Sequence, residues 1–87
     1  MLRITRVTTT GTPTLILSGR IGAEQLSEVR RSVEAEQAGE LALDLGEVTL
    51  VDVDVVRFFL RCDQQGIRFV HCPTYIREWM ARENRST

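Results

Sequence analysis

The sequence contains no lysine; all eleven of its basic residues are arginine. That excludes Schiff-base chemistry and a Walker-type phosphate loop, both of which use a lysine amine. The arginines are scattered from Arg3 to Arg85, with only Arg30 and Arg31 adjacent. Such scatter fits codon bias better than a designed set of bidentate anion sites. Histidine occurs once, at His71, and cysteine twice, at Cys62 and Cys72. The spacing of the two thiols suits neither a metal site nor a thioredoxin-like redox pair. A secreted domain this small would ordinarily carry more disulfides. The opening Met1–Thr5 alternates instead of building an apolar leader, and no apolar run approaches the roughly 20 residues that span a bilayer. The expectation is a cytoplasmic protein without membrane insertion, its two thiols reduced and serving as small core side chains.

A single domain covering residues 1–87 is expected, because 87 residues cannot supply two cores. Hydrophobic residues make up 43% and charged residues 26%, a globular composition too apolar for disorder. The net charge of −1 argues against a nucleic-acid or anionic-membrane ligand held by bulk charge.

Leu2–Thr8 alternates as a strand, and Thr8–Pro13 holds turn residues around Gly11. Thr14–Ser18 is a second strand, so the pair reads as an antiparallel hairpin. The continuous run Leu15-Ile16-Leu17 suggests cover on both faces, and Gly19–Gly22 reads as the strand's break. Leu26, Val29 and Val33 recur at helical spacing within a helix from Ala23 to about Gln37, which Gly39 would cap. Glu40–Leu45 is a third strand, left by a turn at Gly46-Glu47, with a short apolar stretch Val48–Val51 following. Asp52 is placed to cap a second helix, Val53 to about Gln64, that Gly66 ends. Ile67–His71 is a fourth strand. A last helix starts near Thr74, carries the stripe Tyr75, Ile76, Trp79, Met80 and runs into a frayed tail, Glu83–Thr87. The order β-β-α-β-α-β-α predicts an α/β fold: a mostly parallel four-stranded sheet with one antiparallel edge strand.

Little in this chain suits catalysis. His71 and Cys72 are neighbours in a strand and so point to opposite faces, which is wrong for a nucleophile and its base. Asp44, Asp52 and Asp54 gather near the carboxyl end of the predicted sheet, where a magnesium ion could sit. Helix capping accounts for them better, and no lysine completes a phosphoacceptor pocket. The reading is therefore a non-enzyme with no metal and no cofactor.

Two segments carry a family resemblance. Leu15-Ile16-Leu17-Ser18-Gly19-Arg20-Ile21 is similar to the second-strand signature of STAS domains, the fold of anti-sigma-factor antagonists. Leu43-Asp44-Leu45-Gly46-Glu47-Val48-Thr49-Leu50-Val51-Asp52 is similar to their third-strand-to-helix segment, and the closing strand and helix match in order and length. The resemblance spans nearly the whole chain. It implies helices mainly on one side of the sheet and a non-catalytic bacterial interaction module acting in transcription regulation. It also implies a partner surface on the loop before the second helix and along that helix. Regulatory members carry Asp-Ser/Thr-x-Gly in that loop, and the hydroxyl is phosphorylated by a kinase-like anti-sigma factor. Here the residues are Asp52-Val53-Asp54-Val55, so Val53 stands at the phosphoacceptor position and no phosphorylation site is expected. The partner implied is an anti-sigma factor or kinase-like ATPase. Alternatives are the ATPase of an ABC-type transport complex, a scaffold role in a larger assembly, or sensing of a small apolar ligand. The oligomeric state expected is a monomer or weak dimer.

On the second helix, Asp54, Arg57, Phe58 and Arg61 share one side, with Val55, Val56, Phe59, Leu60 and Cys62 on the other. Phe58 is then surplus to the core and expected to stand exposed between two arginines. The expected partner-binding set is Asp52, Val53, Asp54, Arg57, Phe58 and Arg61.

Overall fold

The computed structural model describes residues 2–9, 11–36 and 40–86. The elements are β1 (Arg3–Thr9), β2 (Thr12–Ile21), α1 (Ala23–Ala35), β3 (Ala42–Val51), α2 (Val53–Gln64), β4 (Arg68–Val70) and α3 (Thr74–Ser86), in the expected order. The strands form one sheet in the order β1-β2-β3-β4. β1 runs antiparallel to β2, from Arg3↔Ser18 to Thr9↔Thr12. β3 is parallel to β2 on one side and to β4 on the other. This is the α/β architecture expected from the alternation of short apolar runs with amphipathic segments.

Period-2 burial shows which face the helices cover. Leu15 and Leu17 of β2 and Leu43 and Leu45 of β3 are buried, while Thr14, Ile16 and Ser18 between them keep partial exposure. Ile16 thus corrects the expectation of cover on both faces. The core joins these leucines to Val29 of α1, Val55, Val56, Phe59 and Cys62 of α2, and Ile76 of α3. Each such fully buried aliphatic or aromatic side chain contributes about 1.5–3 kcal/mol of transfer free energy.

Strand ends depart from the sequence reading at the glycines. β2 does not break at Gly19, and β3 does not end at Leu45. Both continue until Ile21 pairs with Val51, across register shifts between Ile16 and Ser18 and between Gly19 and Arg20. Gly19 takes φ 91° at the second irregularity, a conformation that glycine adopts without steric cost. Gly46 is needed for a different reason: a Cβ there would lie 3.1 Å from Cβ of His71. A glycine inside a strand marks a bulge or a close approach more often than a stop, and both occur here.

The expected C-terminal part of α1, with Gln37 and the cap at Gly39, lies outside the described residues, as does Thr87. α1 itself ends at Ala35 with Glu36 as its C-cap, and Glu36 Oε2 accepts from Arg6 Nε at 2.8 Å. β4 is shorter than expected, because His71 takes φ 54° and leaves the strand. The predicted frayed tail is instead helical up to Ser86, anchored where Arg57 Nε donates to Glu83 Oε1 at 3.0 Å.

Candidate functional site

The loop between β3 and α2 brings the first turns of two helices together on one carboxylate. Asp52 Oδ1 accepts from the Val55 amide of α2 at 3.2 Å. Its Oδ2 accepts from the Ala23 amide, the first residue of α1, at 2.7 Å. Free amides and the positive dipole end at a helix N-terminus both favour an anion, so one aspartate serves two helices. The α1 terminus is completed by Gln25, whose Oε1 accepts from the Gly22 amide at 2.8 Å. Sequence reasoning found the α2 cap but not the bond to Ala23, which lies 29 positions away. Asp52→Ala is expected to cost about 2 kcal/mol: about 1 for the α2 cap and about 1 for the second charge-assisted bond. Urea denaturation checks this, and a loss under about 0.5 kcal/mol would place both amides in contact with water instead.

Beyond Asp52, Val53 is half-buried and Asp54 is exposed in the first turn of α2. Arg57 and Arg61 are exposed along the helix. Phe58 corrects the sequence reading: only 7% of it is exposed, and it belongs to the core. α2 packs against α1 as well as the sheet, so its buried arc is wider than one stripe. The Phe58 ring lies beneath the Arg30 guanidinium, 5.7 Å from its centroid, an attractive cation–ring arrangement.

Two residues that the sequence reading left out of the site stand at this end of the sheet. Leu50 is 50% exposed, and Tyr75 is 42% exposed. Tyr75 was expected in the apolar stripe of α3. Instead its hydroxyl donates to the Thr49 carbonyl at 3.1 Å, beside Leu50. β4 pairs with β3 only from Ala42 to Asp44, so the outer edge of β3 beyond Asp44 has no strand on it, and the tyrosine satisfies one of its carbonyls. Ile76 of the same stripe is fully buried, and Trp79 and Met80 are half-buried against the core. The sequence signal for Leu50 was its apolar side chain in a strand segment whose inward positions Val48 and Val51 already fill.

The acidic trio does not assemble. Asp44 Oδ2 lies 3.2 Å from His71 Nδ1 and its Oδ1 accepts from the Gly46 amide at 2.9 Å, while Asp52 is engaged by the helices. Among the described residues no group of three or more His, Cys, Asp or Glu side chains is placed to hold a metal ion. Both cysteines are unpaired. Burial pushes the Cys62 thiol up to about 11. Burial also raises Cys72, against the opposing effect of Arg77. Neither thiol has the depressed pKa of a nucleophile. Among the described residues no helix is long and apolar enough to cross a membrane.

No family model matches this chain. No curated protein matches it either. A solved structure is similar over almost its full length: an uncharacterised protein of the DUF3478 family with a SpoIIAA-like fold, from Shewanella loihica PV-4. The TM-score is 0.56 at 13% sequence identity, covering 98% of this chain and 77% of that one. At such identity the likeness speaks for the fold, and it agrees with the strand pairing and helix placement described above. The chain has a SpoIIAA-like, and so STAS-like, α/β fold.

Proposed function

We propose that this chain is a non-catalytic protein-interaction module of the anti-sigma-factor-antagonist type. Its partner is an anti-sigma factor or kinase-like ATPase, bound at the end of β3 and the exposed face of α2. The observation that supports this is the placement of Leu50 and Tyr75. They are two of the three large exposed hydrophobics among the described residues, and they stand beside the α2 N-terminus, where Val53, Asp54, Arg57 and Arg61 follow. An apolar centre with a charged rim is the usual anatomy of a protein interface. Asp52 contributes by positioning: both its oxygens are occupied within the chain, and it sets the angle at which α2 presents that face. Phe58 supports the helix from below.

The test is calorimetric binding to kinase-like ATPases of the anti-sigma type from the same organism. Leu50→Asp is expected to weaken binding about tenfold or more, as loss of an interface centre does, with an unchanged melting temperature. Unchanged affinity in both Leu50→Asp and Asp54→Arg would overturn the surface. Binding of an ABC-type ATPase at the same residues would move the protein into transport while keeping the module reading.

Incubation with these kinase-like ATPases and ATP is expected to leave the chain unphosphorylated, because Val53 has no hydroxyl. Intact-mass spectrometry reads this, and a phosphate on Thr49 or elsewhere in the loop would overturn it. Asp54 holds a permanent charge one residue on, smaller than the −1.5 to −2 of a phosphate. If Asp54→Asn leaves partner affinity unchanged, that charge serves only the helix dipole.

A further inference from the structure

The sheet has two edges, and they differ. On the β4 side the edge strand has three residues, and beyond it the Tyr75 hydroxyl occupies the Thr49 carbonyl of β3. On the other side β1 runs for seven residues, paired only with β2 and in unbroken register. Alternate residues along its outer side therefore present backbone N–H and C=O groups that no strand among the described residues receives. An edge of this length is ordinarily blunted by proline, a bulge or lysine. β1 has none of these. Its sequence, Arg3-Ile4-Thr5-Arg6-Val7-Thr8-Thr9, is rich in the β-branched residues that favour pairing. Arg6 pairs with Leu15 on the helix-covered face, and its Nε is drawn to Glu36 Oε2 at 2.8 Å. Val7, on the other face, is 36% exposed. It stands opposite Thr14 and diagonal to the half-buried Ile16 of β2.

We infer that β1 pairs antiparallel with β1 of a second copy of this chain, about a two-fold axis at Val7, joining the two four-stranded sheets into one. An open edge takes an extended strand, because a strand returns N–H and C=O groups at the matching spacing. The occupant is a second copy because β1 is complementary to itself. A two-fold axis perpendicular to the sheet keeps every side chain on its own face, so a residue must sit at the axis. An axis at Arg6 would set like charges directly opposite each other, which is destabilising. An axis at Thr5 would leave each Val7 opposite Arg3. An axis at Val7 sets Val7 opposite Val7, Arg6 opposite Thr8 and Thr5 opposite Thr9. It takes the exposed valines out of water beside the Ile16 side chains of both copies. The two Arg6 positions then lie about 7 Å apart along the strands, each already held by its own Glu36. Each copy covers the other's long edge, and the short β4 edge stops the assembly at two. The inference does not rest on the partner surface at the end of β3.

The test is sedimentation equilibrium of the full chain from micromolar to millimolar concentration, the range suited to an interface below about 1,200 Å². A monomer–dimer equilibrium is expected, with dimer dominant at the upper end. Val7→Lys sets two cations at the axis and is expected to abolish the dimer over the whole range. An unchanged melting temperature at micromolar concentration shows that this variant is folded. Oxidative cross-linking in a Cys72→Ser background reads the register. Opposed residues of an antiparallel pair have Cα atoms about 4.5–5.5 Å apart, within disulfide range, so Val7→Cys is expected to give a covalent dimer. Thr5→Cys is expected to give none, because the two Thr5 positions lie about 14 Å apart along the strands. A chain that stays monomeric at millimolar concentration, a dimer that survives Val7→Lys, or faster cross-linking at Thr5 than at Val7 would each overturn the inference. A dimer lost in Leu50→Asp would overturn it too, by placing the contact at β3. A monomeric chain whose capture of a kinase-like ATPase falls with Val7→Lys would give the edge to a partner's strand instead, and would leave the module reading standing.

Discussion

A chain ending at Thr74 is expected to show no cooperative thermal transition. A helix of 13 residues has marginal stability alone, so α3 exists because it docks, and the docking is mutual. Ile76 is fully buried, and Trp79 and Met80 cover part of the core from the same helix. Removal of one buried aliphatic side chain costs about 2–5 kcal/mol. A domain of this length has roughly 4–13 kcal/mol of total stability. Losing three such contacts, together with Arg57–Glu83 and the Tyr75 bond to Thr49, consumes most or all of it. Circular dichroism on heating reads the result, and Ile76→Asp gives a full-length counterpart expected to lose its transition as well. A sharp melt in the truncated chain would make α3 a peripheral element.

Phe58→Ala is expected to lower stability by about 2–4 kcal/mol, and Phe59→Ala by about 3–5 kcal/mol, measured by urea denaturation. Phe59 is fully buried and meets Phe69 of β4 edge-on, with centroids 5.7 Å apart. Phe58 is nearly as buried but lies at the α1 side, where its loss also removes the contact with the Arg30 guanidinium. Its somewhat smaller cost reflects that edge position, where side chains can relax into part of the cavity. A Phe58→Ala loss under about 1 kcal/mol would place the ring outside the core. Such a loss corresponds to a fall in melting temperature smaller than the about 4–8 °C that 1 kcal/mol produces in a domain of this size.

Periodicity along the chain was enough for the element order. Alternation in Leu2–Thr8, three-and-four spacing of Leu26, Val29 and Val33, and the aspartate before an apolar helix are local patterns, and local backbone geometry produces them. The bounds of α2 and its Asp52 cap were legible for that reason, as was the antiparallel hairpin. The likeness to STAS segments placed the helices mainly on one side of the sheet. The absence of a hydroxyl at position 53 needs no structure at all.

What the tertiary structure alone decided depends on residues far apart in sequence. Phe58 looked surplus because one helical face already held enough apolar residues. Its burial follows from α1 arriving beside α2, 28 positions away at Arg30. Gly19 and Gly46 looked like stops because a strand's length depends on its neighbour's register, and only the β2–β3 pairing shows that both strands run on to Ile21 and Val51. Tyr75 left the apolar stripe because β4 is too short to cover the edge of β3, so a carbonyl there took its hydroxyl. Asp52 was legible as a cap for one helix. That it ties two together required the fold to bring Ala23 within 2.7 Å, because hydrogen bonds between distant segments leave no periodic trace in a sequence.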